Sequence, residues 1–251
     1  MGLGTLSEPA EQEIGLSHLG IITAVTAEAR TLTREPIPRG ELIYLPGGAM
    51  LIVSGMGPTR AARTSRALLD KGATALLSWG SAGGLASKVS PGSLILPKTV
   101  IASDRSLYPV DRPWHEGLCN RLRGRVGFHT EPLIESSRVV RTPAEKATLF
   151  RETGAVGVDM ESAAVAATAQ EAQVPFMAVR AVADSTDTTI PESTLNAVDE
   201  FGRLNFFKLI QGLVKDPTEV LALVRIARDY RAAKRTLAAV ARLAGRDFLI
   251  S

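Results

Sequence analysis

The stretch AVGVDMESAAVAATAQEAQVPFMAVRAVAD, residues 155–184, passes from an apolar strand into a helix of very small residues and back into an apolar strand. A strand–helix–strand unit of this kind is the building block of an α/β sheet. The same alternation extends outward from it. Strand-like runs occupy 18–25, 41–45, 50–54, 73–79, 93–102, 125–128 and 132–135, and helical patterns occupy 27–33, 59–71, 113–122, 143–153 and 192–214. Pro46-Gly47-Gly48, Ser90-Pro91-Gly92 and the pair Pro109 and Pro113 supply the punctuation between them. The pattern predicts one α/β domain over 18–214, with helices on both faces of the sheet.

Two flanking segments stand outside this domain. Residues 1–17 have neither the basic start nor the apolar run of a secretory signal and are expected to form a loose arm. Residues 215–251 predict a basic amphipathic helix that begins after Asp216-Pro217 and runs to about Ala244. Val220, Leu223, Val224, Ala227, Leu237, Val240 and Ala241 recur at three- and four-residue steps along it. Such a stripe suits a helix packed on its own domain, and the basic face would equally suit an acidic membrane surface or a partner. Eight of the 29 basic residues but only four of the 26 acidic ones follow Val214, so the net charge of +3 comes from the tail. The body carries no concentrated basic face, which argues against a nucleic-acid partner.

Composition narrows the chemistry. The single cysteine, Cys119, permits no internal disulfide, and the histidines His18, His115 and His129 are too scattered to suggest a metal site. A lone cysteine without an export signal leads one to expect a cytoplasmic protein. Ser54-Gly55-Met56-Gly57-Pro58-Thr59 opens a helix, but Arg60 falls where a dinucleotide fingerprint needs its third glycine. No cofactor is therefore expected.

Three carboxylates carry the functional signal, because each comes just beyond a predicted strand, where open α/β sheets bind ligands. Glu28 follows the first strand, Glu161 follows the strand at 155–160, and Asp184 follows the strand at 175–182. Arg180, inside that last strand, requires a buried partner, and Asp159, Glu161 or Asp184 would serve. The turn Gly80-Ser81-Ala82-Gly83-Gly84-Leu85 ends another strand with residues small enough for a ligand to approach the backbone.

Taken in order, Gly20–Glu28, Ser54–Gly57, Gly80–Leu85, Asp159–Glu161 and Arg180–Asp184 resemble the nucleoside phosphorylase superfamily, most closely the methylthioadenosine/S-adenosylhomocysteine nucleosidases. Gly55-Met56-Gly57-Pro58, Asp159-Met160-Glu161-Ser162-Ala163-Ala164 and the basic tail resemble the subgroup of hopanoid-associated phosphorylases, which are thought to remove adenine from adenosylhopane. The resemblance covers roughly residues 18–214 and implies a three-layer fold around a mixed central sheet. It also implies a homo-oligomeric enzyme that cleaves the N-glycosidic bond of a small-molecule or lipid-linked purine nucleoside. In that reading Asp184 is the acid at the purine and Glu28 the base that activates water. Glu161 and Met160 bind the ribose, Ser81 and Gly83 lie near the anomeric carbon, and Arg180 and Asp159 support the site.

Departures from the family's pattern matter too. Ala183 replaces the serine that usually precedes the aspartate, which leaves open what supports that acid. Thr26 and Ala27 replace acidic residues that often precede the glutamate. Ser78 stands where many phosphorylases carry a phosphate-binding arginine, and Glu28 would repel phosphate, so the residues favour water as co-substrate. Arg30, Arg60 and Arg63 remain as alternative phosphate ligands. A phosphate-dependent phosphorylase, or a silent nucleoside- or lipid-binding protein on the same fold, are the competing readings. An adenosylhopane substrate would add peripheral membrane contact through the tail helix.

Overall fold

A computed structural model describes residues 18–38, 40–191, 199, 201, 219–245 and 248. The N-terminal arm and, apart from Asp199 and Phe201, the helix expected at 192–214 lie outside the described residues. Eleven strands are described: β1 (Leu19–Thr23), β2 (Ile43–Tyr44), β3 (Met50–Val53), β4 (Ala75–Gly84), β5 (Leu94–Ile95), β6 (Thr99–Ile101), β7 (Leu107–Pro109), β8 (Phe128–His129), β9 (Leu133–Glu135), β10 (Gly157–Asp159) and β11 (Phe176–Asp184). The described helices are α1 (Thr26–Ala29), α2 (Pro58–Asp70), α3 (Arg112–Leu122), α4 (Pro143–Thr153), α5 (Ser162–Glu171) and α6 (Glu219–Ala244).

The long strand β4 organises the mixed sheet. Its first half pairs in parallel with β1, and its last two glycines pair antiparallel with β10. Its other edge pairs in parallel with β11 along nearly its whole length. Between Ser78 and Gly83, β4 has therefore lost β1 and not yet met β10. The sheet opens there into a crevice, the position at which α/β sheets hold ligands.

Helices cover both faces. On one, α2 and α5 pack together against the sheet, with Leu68, Ala163, Ala166 and Ala169 meeting Ile22, Leu76 and Phe176. The alanines of α5 leave room for that close approach. On the other face lie α1, α3 and α6. There Ala233, Leu237, Val240 and Ala244 of α6 join a core containing Trp79, Trp114 and Phe248. Trp79 meets Phe248 edge to face at 5.6 Å, and Trp114 Nε1 donates to the Phe248 carbonyl at 2.7 Å. Among the described residues, no helix is long and apolar enough to cross a membrane.

Some boundaries differ from those expected, and residues 80–84, expected as a turn after a strand at 73–79, instead continue β4 to Gly84 because β11 pairs beside them. The strand expected at 93–102 is two strands, β5 and β6, because Pro97 has no N–H to continue a ladder. The helix expected at 27–33 ends at Ala29. Beyond it, Thr31 N and Leu32 N donate to carbonyls three residues back, and the Thr31 hydroxyl also takes the Glu28 carbonyl at 2.6 Å. That local competition closes the helix after about one turn.

Candidate active site

The crevice continues into a cavity of about 460 Å³, within the range of small-molecule sites (about 300–1,000 Å³). Glu28, Ser81, Gly83, Asp159, Met160, Glu161 and Asp184 all line it. Arg180, the remaining residue singled out from the sequence, lies beneath it and is 2% exposed. Arg30, Arg60 and Arg63 are not among the lining residues. Arg30 instead faces a separate cleft, and the Arg60 guanidinium donates to the Met56 carbonyl.

Each carboxylate is placed by a distinct device. Glu28 reaches from α1 into the gap beside β4, where Ser81 N–H has no strand partner and donates to Oε1 at 2.8 Å. The Ser81 hydroxyl donates to the same oxygen at 2.6 Å. Glu28 Oε2 is buried and makes no hydrogen bond among the described residues. A glycine is required opposite it: a Cβ on Gly80 would lie 2.8 Å from Oε2 and 3.0 Å from Cδ. Burial pushes the Glu28 carboxyl above its usual range, opposed by the Ser81 hydrogen bonds and the charge of Arg180.

Glu161 is expected in the first turn of its helix but stands one position earlier, as the N-cap of α5. Its side chain does not cap that helix. Asp159 Oδ1 accepts from Ser162 N at 3.3 Å and Glu135 Oε2 from Ala164 N at 2.8 Å, so two other acids serve the first N–H groups of α5. The Glu161 carboxylate is thereby released to the cavity. Gly57 N donates to it at 2.7 Å, which gives the turn before α2 a second purpose. Positive φ values at Gly55 (82°) and Gly57 (103°) shape that turn, and only glycine adopts them without strain. Burial, then the neighbouring Asp159, pushes Glu161 up to about 8.

Asp184 is aimed by a bulge. The pairing of β11 with β4 slips between Val182 and Asp184, so Ala183 is the extra residue and Asp184 turns inward. Gly83 makes room, since a Cβ there would lie 3.3 Å from Asp184 Oδ1. Burial raises the Asp184 carboxyl, and Lys146, which donates a hydrogen bond to its Oδ2, opposes that rise.

Beneath these acids sits a buried ion pair. Arg180 Nε donates to Asp159 Oδ2 at 2.7 Å, which identifies its partner among the three acids considered. A second guanidinium nitrogen donates to Ser78 Oγ at 2.7 Å, the Ser162 hydroxyl donates to Asp159, and the Ser78 and Ser162 hydroxyls meet at 3.2 Å. Ser78 is thus spent on a structural network. Among the described residues six carboxylates are buried (Glu28, Glu135, Asp159, Glu161, Asp184 and Asp229) against two buried lysine or arginine side chains, Arg180 and Lys146. Burial is the largest cause of the rise at Glu28, Glu135, Glu161 and Asp184, and the charge of Asp159 adds to it at Glu135, which is pushed up to about 7.

With this geometry in place, comparison with known proteins is decisive at the level of family. Residues 39–211 match the family model described as "Phosphorylase superfamily". The chain belongs to the phosphorylase superfamily. Within it, the chain is 24% identical over 194 residues to a 5'-methylthioadenosine/S-adenosylhomocysteine nucleosidase of Buchnera aphidicola subsp. Baizongia pistaciae, covering 68% of this chain and 77% of that protein. Among solved superfamily folds, the Neisseria meningitidis nucleosidase of the same name, in complex with methylthio-immucillin-A, superposes with a TM-score of 0.69 at 18% identity, over 91% of this chain and 99% of that one. The native futalosine hydrolase of Helicobacter pylori superposes at 0.63 with 16% identity, over 90% and 97%. The three-layer mixed fold is that of these nucleosidases.

Three features of the site lie outside the residues singled out from the sequence. Lys146 reads as an ordinary surface lysine in an amphipathic helix, and nothing local marks it as buried. Glu135 did leave a signal, being a fourth carboxylate at a strand's end. The third is the cavity wall from α6, made by Leu223, Ile226, Ala227 and Tyr230. Of the apolar stripe read along that helix, Leu223 and Ala227 face the cavity, Leu237 and Val240 join the core, and Val224 is exposed.

Proposed function

We propose that this protein hydrolyses the N-glycosidic bond of an adenine nucleoside bearing an apolar 5′ substituent. The observation that carries the reading is the state of Glu28. One oxygen is anchored by Ser81, the other is buried and unbonded among the described residues, and the residue lines the same cavity as Glu161 and Asp184. A carboxylate held in this way, with its proton affinity raised by burial, suits a general base for water, worth roughly 10²–10⁴ in rate.

The remaining roles follow from the charges that develop as the bond breaks. The sugar gains oxocarbenium character, and the leaving purine gains negative charge. Glu161, held by Gly57 N–H, binds the ribose and, once ionised, stabilises the sugar's charge more in the transition state than in the neutral substrate. Met160 packs at the ribose, and Ser81 and Gly83 border the anomeric carbon. Asp184 delivers a proton to the purine, with Asp159 and Arg180 fixing the floor. Water is favoured over phosphate because the region around Glu28 is rich in buried carboxylates and Ser78 is already committed to Arg180 and Ser162.

Substrate identity rests on the activities named for the relatives and on the wall of α6. 5′-Methylthioadenosine fits both, and adenosylhopane, which the subgroup resemblance implies, carries a larger apolar substituent of the same kind. The test is to follow adenine release from adenosine, 5′-methylthioadenosine and adenosylhopane with and without phosphate. Free ribose products independent of phosphate are expected. Phosphate-dependent turnover yielding ribose 1-phosphate products would overturn hydrolysis in favour of phosphorolysis.

A further inference from the structure

Asp184 is held by a residue that lies outside the cavity lining. The capping box at the start of α4 sets the arrangement: Thr142 Oγ1 accepts from Glu145 N at 3.2 Å, and Glu145 Oε2 accepts from Thr142 N at 3.0 Å. With the first turn fixed, the next residue, Lys146, points into the protein and is fully buried. Its Nζ donates to Asp184 Oδ2, to the Ser185 carbonyl at 2.7 Å and to the Thr188 carbonyl at 3.3 Å. Three acceptors match the three N–H donors of an ammonium group.

Other charges face Asp184 without relieving it. Asp229 approaches from α6 and opposes its ionisation. Arg225, also on α6, is taken by Asp187 at 2.8 Å and by the Ser185 hydroxyl at 3.1 Å. Arg138, at the cavity rim, is taken by Glu145 at 2.6 Å, and Glu28, Asp159 and Glu161 lie around the same cavity. Among the described residues, Lys146 is therefore the cation in contact with Asp184. The ammonium favours the ionised carboxylate while burial opposes it, so Asp184 and Lys146 act as one proton-sharing pair.

We propose that Lys146 is the proton store of the acid step and acts through Asp184, an inference that rests on Asp184 being the acid at the purine. As the C1′–N9 bond breaks, its electron pair passes to the purine. N7 takes a proton from Asp184, and Asp184 Oδ2 draws one from Lys146 Nζ, leaving a neutral amine. The positive charge of the store and the negative charge on the leaving base cancel together. After adenine departs, Glu28 releases to solvent the proton it took from the attacking water, and Asp184 takes one up from solvent and returns it to Lys146, which restores both groups. Lys146 is thus a positioning and proton-holding residue, and it takes over the support that the family's serine, here Ala183, does not provide.

Two substitutions in the full-length protein separate this from a purely structural ion pair, with adenine release from 5′-methylthioadenosine followed from pH 5 to 10. Lys146→Met removes the cation, so the proton must reside on Asp184 itself. The alkaline limb of kcat is expected to move down by about 2 pH units or more, with KM changed less than about threefold. Lys146→Arg keeps the charge, but a guanidinium does not release its proton, so kcat is expected to fall about 10²–10⁴-fold at every pH. Wild-type-like kcat in the arginine variant, or an unmoved alkaline limb in the methionine variant, overturns the proposal while leaving Asp184 as acid intact. If neither variant folds, the wild-type profile decides: kcat sustained to about pH 9 fits an amine store, and loss of the basic limb between about pH 5 and 8 refutes it. Wild-type protein that releases no adenine overturns both this inference and the parent reading.

Discussion

Gly80→Ala isolates the contribution of Glu28 without touching the carboxylate itself. The new methyl carbon would sit 2.8 Å from Glu28 Oε2, 3.0 Å from Cδ and 3.1 Å from Oε1. Ordinary contact begins near 3.4 Å, so the carboxylate must retreat by about half an ångström or more. Both hydrogen bonds from Ser81 would stretch with it, and bonds to a charged group are worth about 1.5–3 kcal/mol each. Gly80 does not have a positive φ, so the substitution strains no backbone and the effect is confined to this contact. A misplacement of about 1 Å costs on the order of 10²-fold in rate, which is the loss in kcat expected here, and overpacking should cost about 1–3 kcal/mol in stability. The assay is a double-mutant cycle with Glu28→Gln, read as kcat for adenine release. Because both changes act on one carboxylate, the double variant should be scarcely slower than Glu28→Gln alone. Multiplicative losses, or near-wild-type turnover in Gly80→Ala, would refute the placement of Glu28 as base.

Three further predictions address the rest of the site. Asp184→Asn should abolish adenine release and should also destabilise the fold by about 3–5 kcal/mol, because it strands the buried Lys146. Denaturant melts showing unchanged stability would contradict the pairing. Glu161→Gln should lower kcat by the equivalent of about 3–4 kcal/mol. Since the folded-state value of Glu161 is raised to about 8, its stabilising contribution is present at low pH and lost as pH rises from about 4.5 to 8, with a slope of up to about 1.4 kcal/mol per pH unit. The glutamine variant should remove that slope in melts at pH 5 and 8. Finally, Leu237→Ala should cost about 2–5 kcal/mol of stability, whereas Leu223→Ala should chiefly change KM for nucleosides with bulky 5′ groups. Equal stability losses in the two would refute the division of α6.

The sequence was legible where function follows from position along a strand. Glu28, Glu161 and Asp184 each follow or end an apolar strand, and the structure brings all three to one cavity. Arg180 was legible as a buried charge in need of a partner, but the choice of Asp159 depends on the sheet bringing β10 and β11 to opposite edges of β4. Lys146 was not legible, because a lysine after a capping glutamate looks the same in sequence whether its helix shows that side to water or to the core. The inward turn of Asp184 was hidden for a related reason: a single slipped residue at Ala183 alters no hydrophobic pattern, yet reverses where the next side chain points.

Helix α6 has one consequence for how such an enzyme can change. Its forward half, at Leu223, Ile226 and Ala227, only faces the cavity, while its rear half, at Ala233, Leu237, Val240 and Ala244, is locked into the core. The rear therefore acts as an anchored handle and the front as an adjustable jaw. Random substitution confined to the jaw should yield libraries rich in folded proteins with altered tolerance for the 5′ group. The same library drawn from the handle should yield mostly unfolded ones. A binding site whose outer wall is a replaceable half-helix can drift toward new substrates with little risk to the architecture that holds its chemistry.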